Sequence, residues 1–147
     1  MISQEDLARR NEALARTIDK MKAAKSAGFQ DLGFDMMSWF ARNTAHECGT
    51  AACIAGWVVH ANSNLEIPEL IDIGKGNNSN IPERARELLR LSAEEASILF
   101  FAQSSETQNL PFYNVTIDHA IGVLEHFLDT GTLTWQALPD LEALVED

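Results

Sequence analysis

Apolar side chains recur at intervals of three and four residues along most of the chain, which is the spacing of amphipathic helices. The spacing is clearest from Ile117 to Leu128, where Thr116 can cap a helix and Gly131 can end it. No segment alternates apolar and polar residues well enough to predict a strand. The pattern therefore predicts an all-α fold in which residues 1–147 form a single compact domain of six to eight helices.

The first 26 residues predict a long helix that begins after Ser3. Its apolar residues form a narrow seam: Leu7, Leu14, Ile18 and Met21. Acidic and basic side chains spaced four apart predict ion pairs on its surface: Glu5–Arg9, Asp6–Arg10 and Glu12–Arg16. The seam lasts barely two heptads, which favours docking of a peripheral helix on the domain, with a homodimer through this N-terminal helix as the alternative.

A central buried helix is predicted at about 50–62. His60 is the only polar side chain between Ala51 and Ala61, and a helix that is apolar nearly all round belongs in the interior. Thr50 is a suitable N-cap for it. Gly56 lowers the helix propensity by about 1 kcal/mol relative to alanine, so we expect it where a neighbouring backbone packs closely.

The remaining helices are predicted from caps and short apolar runs. They are a two-turn helix after Asp35 within Phe34 to Phe40, a turn at Glu69 to Ile73, a helix from Pro82 to about Leu91, a helix from the capping box Ser92–Glu95 to about Ala102, and a last helix from Thr134. In the helix after Pro82, the inward residues are predicted to be Ala85, Leu88 and Leu89.

The composition is that of a globular protein, and the charge is unevenly placed. The 147 residues are 46% hydrophobic with a formal net charge of −11. Residues 1–26 carry six basic and four acidic side chains, whereas residues 91–147 carry ten acidic side chains and no Lys or Arg. Attraction between the two ends within the fold is one expectation, and an acidic surface for basic partners is the other. Nucleic acid and anionic membranes are not expected as partners.

The sequence indicates a cytoplasmic protein. Its N-terminus is polar, and its longest apolar run is far short of the ~20 residues that cross a bilayer. Cys48 and Cys53 are the two cysteines, which we expect to be thiols rather than a disulfide.

One cluster has the residue types of a metal site: His46, Cys48, Cys53 and His60. Zinc needs four such ligands around one point. Within a helix Cys53 and His60 would stand about 10 Å apart, because each residue rises 1.5 Å. His119 and His126 are also seven residues apart, and we interpret them as part of a solvated helix face. We therefore predict no metal and no cofactor.

A cysteine nucleophile is a second alternative. Cys48 lies just before a predicted helix N-terminus, which lowers a thiol pKa, and His46 is two residues away as a base. His46 and Cys48 are thus weak catalytic candidates, since nothing nearby resembles an oxyanion hole. Cys53 is predicted to be a core residue.

Two sequence blocks resemble a group of small uncharacterised proteins from bacteria and their phages. The blocks are Phe34-Asp35-Met36 with Trp39, and Cys48-Gly49-Thr50-x-Ala52-Cys53-x-Ala55-Gly56-Trp57. Weaker similarity continues through Ala85, Leu88, Leu89 and Leu91 to Leu99-Phe100, so that it spans roughly 34–130. This sequence departs from the pattern by a longer stretch from Ala41 to Glu47. The resemblance implies one folded domain and carries no activity.

These features favour a non-enzymatic protein-interaction module with an acidic C-terminal half. Its protein partner is not identified by the sequence. The alternative is a small-ligand-binding protein or enzyme with a pocket near Trp39, Cys48 and Thr50. A concave site lined by His46 and Cys48 at the start of the central helix would favour that alternative.

Overall fold

The computed structural model describes residues 2–28, 33–34, 41–42, 50–66, 69–70, 81–101 and 116–134. Five helices lie in these ranges, and Glu69–Leu70 belongs to a further helical turn. The helices are α1 (Gln4–Ser26), α2 (Ile54–Asn62), α3 (Ile81–Leu89), α4 (Ala93–Ala96) and α5 (Ile117–Thr130). Directly after α4 the chain continues as a π-helical turn, Ser97–Phe101, which the sequence pattern did not predict.

The predicted all-α fold is confirmed, and the described residues hold five helices where six to eight were expected for the whole chain. The predicted helices after Asp35 and after Thr134 fall on 35–40 and 135–147, which lie outside the described residues.

The interior is built around α2, as the sequence predicted. Six consecutive residues of this helix are buried, from Ile54 to Val59, and they include Gly56 and the large side chain of Trp57. The helix packs against both α1 and α3. An apolar segment with no polar face gains from burial on every side, which explains its central position.

A small sheet precedes α2, and the prediction that the central helix begins at about residue 50 was wrong. Strands β1 (Gly33–Phe34), β2 (Ala41–Arg42) and β3 (Thr50–Ala52) are ordered β1-β3-β2, with β1 parallel and β2 antiparallel to β3. Thr50 is therefore a strand residue and not the cap of α2, whose N-cap is Cys53. Pairing with a strand on each side gives the backbone of β3 partners that outweigh the helix preference of its alanines. Phe34 likewise lies in a strand.

Helix α1 docks on the rest of the fold through its apolar seam. Leu14 and Met21 are fully buried, and Ile18 is 5% exposed. Leu7, the fourth predicted member of the seam, is 37% exposed. The helix packs against α2, α3 and α5. Its apolar stripe is thus used inside the fold.

Two of the three predicted ion pairs on α1 are present, and the third was wrong. Arg9 contacts Glu5 at 3.0 Å and Arg16 contacts Glu12 at 3.3 Å. Arg10 turns into the interior instead of pairing with Asp6, because it lies on the same helix face as Ala13, Leu14 and Thr17. Asp6 pairs with Arg90 at 3.6 Å.

The basic end and the acidic end attract each other within the fold. Lys22 of α1 contacts Glu125 of α5 at 2.9 Å. Lys25, about one turn further along α1, contacts Asp118, which lies two turns earlier in α5. The hydrogen bond from Lys22 to the Glu125 carboxylate raises the pKa of the Lys22 ammonium above its usual value. Part of the acidic excess is therefore engaged in joining α5 to α1.

Both predicted N-caps in the C-terminal half are confirmed. The Ser92 hydroxyl accepts from the Glu95 amide at 3.1 Å, and the Glu95 carboxylate accepts from the Ser92 amide at 2.9 Å. In α5 the Thr116 hydroxyl caps the His119 amide, and Gly131 ends the helix with φ +75°. Within the described ranges, every helix is too short or too polar to cross a membrane.

Candidate functional site

Most of the candidate site residues proposed from the sequence lie outside the part of the chain that the structure describes. Trp39, His46 and Cys48 lie outside the described residues, and Thr50 begins the strand that leads into α2. Cys53 is 1% exposed at the start of α2. The pocket predicted near Cys48 stays a prediction.

The histidines in the described part serve local structure. The His60 ring meets the Trp57 ring edge-on, with centroids 5.8 Å apart. His119 accepts a hydrogen bond from the Thr116 amide through Nδ1 at 3.0 Å, so its ring completes the cap of α5. Among the described residues, no three His, Cys, Asp or Glu side chains are placed to hold a metal ion.

A groove of about 750 Å³ lies between the end of α2 and the outward face of α3. It is open to solvent along its length. Apolar side chains form part of its wall, namely Val59, Leu88 and Leu91. The other lining residues are polar or charged: Asn62, Ser63, Glu83, Arg84, Arg86, Glu87 and Arg90.

The groove follows α3 because the inward face of that helix is strongly apolar. Ile81, Ala85 and Leu89 are fully buried at helical spacing. Residues offset from them by about half a turn must face outward. Leu88, predicted to point inward, is half-buried and lines the groove.

Backbone hydrogen bonds close the C-terminal end of α3 in a Schellman motif. The Leu91 amide donates to the Arg86 carbonyl at 3.0 Å, and the Arg90 amide donates to the Glu87 carbonyl at 3.2 Å. Arg90 occupies the position after the helix with φ +52°, a left-handed conformation that favours glycine. An arginine there costs backbone energy, which its side chain must offset.

Arginine side chains satisfy the remaining carbonyl oxygens at this helix end. Arg90 Nη1 donates to the carbonyls of Glu87 at 2.6 Å and Leu88 at 3.3 Å. Arg86 Nε donates to the Leu91 carbonyl at 3.1 Å. All four final carbonyls of α3 thus have a donor once the backbone bonds and Arg10 are included. Cations here also oppose the negative end of the helix dipole.

Arg10 of α1 joins four helices at this point. It is 6% exposed, and it donates to the Leu89 carbonyl at 2.8 Å and the Arg90 carbonyl at 2.7 Å. It also contacts the Glu95 carboxylate at 3.4 Å, and its guanidinium lies 4.8 Å from the centre of the Phe127 ring. A buried guanidinium is tolerated because its fork of donors is engaged.

A polar cluster joins α1 to the groove end of α2. Asn62 Nδ2 donates to the Val58 carbonyl at 2.9 Å and to the Thr17 hydroxyl at 3.1 Å. The Thr17 hydroxyl, fully buried, donates to the Ala13 carbonyl at 2.8 Å. Asn62 Oδ1 is buried and accepts no hydrogen bond from the described residues.

The charged side chains of the groove are largely unpaired within the described part of the chain. Glu83, Arg84 and Glu87 make no side-chain ion pair there, and Arg86 uses only Nε, on a carbonyl. The described lining carries no nucleophile with a base beside it. The chemistry of the groove is that of a contact surface, with an apolar part of the wall and side chains of both charges mixed along α3.

Sequence reasoning missed the arginine cluster. Arg10 was assigned to the solvent face because it lies four residues after Asp6. The available signal was its position in the helical repeat. Arg10 lies on the same face of α1 as Leu14, Thr17 and Met21, and this position predicts an inward side chain. Arg90 carried no comparable signal, since a left-handed arginine has no sequence signature.

Comparison of the chain with family models, with curated proteins and with solved structures finds no match. The resemblance to small bacterial and phage proteins therefore stays an expectation.

Proposed function

We propose that this chain is a non-enzymatic protein-interaction module whose contact surface is the groove between α2 and α3. The observation that carries the proposal is an open groove in which half-buried Leu88 lies beside charged groups of both signs, of which Glu83, Arg84 and Glu87 make no ion pair within the described residues. Grooves of this kind accept a helix laid along them. A cytoplasmic location is part of the same proposal.

The balance of charge along α3 favours one orientation of a bound helix. Glu83 and Arg84 offset each other near its start, whereas Arg86 and Arg90 outnumber Glu87 at its C-terminal end. A partner helix running antiparallel brings its own N-terminal turn to these arginines. Helices commonly carry carboxylates in that turn, which matches the excess of guanidinium groups at this end of the groove.

The acidic C-terminal half enters this proposal through its net charge and not as a contact surface of its own. Asp118 and Glu125 are paired with lysines of α1, and Glu95 is engaged by Ser92 and Arg10. These carboxylates serve the fold. The groove, with three Arg and two Glu, is locally positive on a chain of net charge −11, so an acidic partner segment is drawn to it rather than to the rest of the surface.

The test uses a synthetic helical peptide of about 15 residues, long enough to hold a helix. It carries Glu in its first turn, Leu at the spacing of one stripe, and Arg in its last turn. A control peptide of identical composition has the charged ends exchanged. We expect amide chemical shifts of Val59, Leu88 and Leu91 to move on titration with the first peptide and to move much less with the control.

The same spectra test the alternative from the sequence, a small-ligand protein or enzyme with a pocket near Trp39, Cys48 and Thr50. Shifts confined to the region of Thr50, or equal shifts with both peptides, would contradict the groove as the contact surface. A Leu88→Asp variant is expected to lose the response, whereas the matched Leu7→Asp variant, which changes an exposed leucine of α1, is expected to keep it.

A further inference from the structure

We propose that the acidic segment 135–147 of this chain occupies the groove between α2 and α3 and competes there with the partner helix. The inference rests on the proposed function, because it names the regulation of the same groove. The occupant lies outside the described residues. Three observations point to it: two available guanidinium groups in the groove, the place where α5 ends, and the charge of residues 135–147.

The groove offers two guanidinium groups to an anionic occupant. Arg84 is exposed and makes no ion pair in the described part of the chain. Arg86 is also exposed, and it uses only Nε, on the Leu91 carbonyl at 3.1 Å. Arg90 is already held by carbonyl oxygens of α3 and by Asp6. Because a guanidinium binds a carboxylate with two donors, Arg84 and Arg86 are the positions that an acidic segment can use.

The groove supplies modest contacts, which suit an attached segment. Leu88 is its half-buried apolar residue, whereas Val59 and Leu91 are 1% and 6% exposed and offer little surface. Glu83 and Glu87 also line the groove and offset part of its positive charge. A segment joined to its site by a short stretch of chain acts at an effective concentration on the order of millimolar, so weak contacts are enough to fill the site.

Helix α5 ends beside the C-terminal end of α3, which borders the groove. The Arg10 guanidinium lies 4.8 Å from the centre of the Phe127 ring and donates to the Leu89 carbonyl at 2.8 Å, so it joins the last turn of α5 to the last residue of α3. Leu133 is 8% exposed and belongs to the core. The chain is therefore still held against the fold just before residues 135–147 begin.

The chain beyond α5 is long enough to reach the groove and to follow it. The four residues from Gly131 to Thr134 span at most about 14 Å, and residues 135–147 span up to about 45 Å when extended. The nine residues of α3 rise only about 13 Å. Residues 135–147 can therefore lie along α3 from a starting point at the end of α5.

The charge of residues 135–147 is opposite to that of the two guanidinium groups. The segment holds four acidic side chains and no Lys or Arg: Asp140, Glu142, Glu146 and Asp147. Every other stretch outside the described residues holds at most one acidic side chain. Asp118 and Glu125 of α5 are already paired with lysines of α1. Charge complementarity therefore selects residues 135–147 among the undescribed stretches of this chain.

The same segment has the composition of the proposed partner helix. Leu141 and Leu144 stand between its carboxylates. It therefore brings apolar groups for Leu88 together with anions for the two guanidinium groups. When the segment occupies the groove, the partner helix binds only to the fraction of chains in which the groove is open, so its apparent affinity falls.

The experiment compares the full chain with a variant whose segment has lost its charge, Asp140→Asn/Glu142→Gln/Glu146→Gln/Asp147→Asn. The probe is the helical peptide with Glu in its first turn, and its dissociation constant is measured by isothermal titration calorimetry. We expect the neutral variant to bind the peptide at least threefold more tightly, because the competitor has left the groove. Without peptide, the amide chemical shift of Leu88 is expected to differ between the two chains.

A matched variant removes four charges elsewhere. Asp19→Asn/Glu66→Gln/Glu94→Gln/Asp129→Asn gives the same net charge through exposed residues that do not line the groove. It is expected to bind the peptide as the wild type does and to keep the wild-type Leu88 shift. Equal tightening in both variants would show an effect of net charge alone and would overturn the proposal.

Arg84→Gln tests the contact from the side of the groove. Arg84 makes no ion pair in the described part, so the fold is expected to tolerate the change. In a chain that carries Arg84→Gln, neutralising the segment is expected to change the peptide affinity less than it does in the wild type. A change of the same size in both backgrounds would place the segment away from Arg84 and contradict the proposal.

The two readouts separate this inference from the proposed function. An unchanged Leu88 shift in the neutral variant would overturn the inference, and peptide binding would then leave the proposed function standing without an internal competitor. If the Leu88 shift moves but neither chain binds the peptide, the segment lies in the groove and the proposed partner is lost. Failure of both readouts would remove both.

Discussion

Helix α2 and the C-terminal end of α3 are held in the fold by different forces. From Ile54 to Val59, α2 contributes mainly apolar contacts to its neighbours. The end of α3 is surrounded by Arg10, Arg86 and Arg90, whose donors reach carbonyl oxygens there. Contact in the first region is non-directional, whereas the second depends on donors placed to within a few tenths of an ångström.

The difference teaches where this fold tolerates change. An apolar interior accepts substitutions that conserve volume. When a substitution changes the volume, the loss of stability grows with the size of the cavity or of the excess volume created. A carbonyl cluster has no such latitude, because removing one donor leaves several buried acceptors unsatisfied at once. The arginine cluster is therefore expected to be the more sensitive region for a change of one side chain.

The largest effect is expected from Arg10→Met, which keeps much of the length of the side chain and removes its donors. The Leu89 and Arg90 carbonyls and the Glu95 carboxylate lose a partner together. We expect the free energy of unfolding to fall by about 2–4 kcal/mol in urea denaturation. Arg9→Met is the matched control, since Arg9 is exposed and pairs with Glu5; a loss as large there would contradict the cluster.

Gly56→Leu tests the apolar region. Gly56 is buried in the middle of α2, and an added leucine side chain must displace packed neighbours. We expect a loss of about 1–3 kcal/mol, measured by the same denaturation series. Gly56→Ala sharpens the result. Alanine has the higher helix propensity, so this variant is less stable than the wild type only if a neighbouring backbone lies close to position 56. An unchanged unfolding midpoint for the leucine variant would show that the site has room.

Ser92→Ala tests the edge of the arginine cluster. The change removes the cap of α4 while leaving Glu95 in place to contact Arg10. A lost N-cap costs about 1 kcal/mol, so the midpoint of thermal unfolding should fall by a few degrees. Ser26→Ala, at the exposed end of α1, serves as control. Equal losses in the two variants would argue that the Ser92 cap contributes nothing.

The smallest effect is expected from Lys22→Met, which breaks an exposed contact with Glu125 between α1 and α5. The thermal midpoint should fall slightly at low salt and match the wild type at high salt, because exposed ion pairs are screened. Lys20→Met, an exposed lysine without an ion pair in the described part, is the control. Salt-independent loss would point to packing by the Lys22 stem instead.

The sign of the pH dependence follows from the Lys22 pKa. Because Glu125 raises the pKa of Lys22 in the folded state, the contact stabilises the fold at neutral pH, where both groups are charged. Its contribution disappears as the pH rises through the folded-state pKa, in the strongly alkaline range. The wild type and Lys22→Met should therefore converge there.

Local signals in the sequence predicted the helices well. Thr116, Gly131 and the Ser92–Glu95 box placed helix ends where the structure has them, since caps act within a few residues. The unbroken apolar run from Ile54 to Val59 is also a local signal, and it predicted the central helix.

Distant partners account for what the sequence did not predict. Thr50–Ala52 became a strand because segments at 33–34 and 41–42 pair with it, and a window of local propensity contains neither. The groove was missed because it needs α2 and α3 side by side and an arginine in a left-handed conformation. The site expected around Cys48 was drawn from residue types alone, which specify chemistry without placement.

The long sequence separation between Arg10 and its partners also affects the order in which the chain can fold during synthesis. Its partners at the end of α3 and in α4 lie 79 to 85 residues further along the chain, and those of Lys22 and Lys25 lie 103 and 93 residues further. At about 5–20 residues per second, a ribosome needs roughly 4–16 s to make the 79 residues that separate Arg10 from Leu89. Until then the seam of Leu14, Ile18 and Met21 has only the part of its final surface that α2 supplies. Because α3 and α5 are made later, the docking of α1 can be completed only after they have emerged.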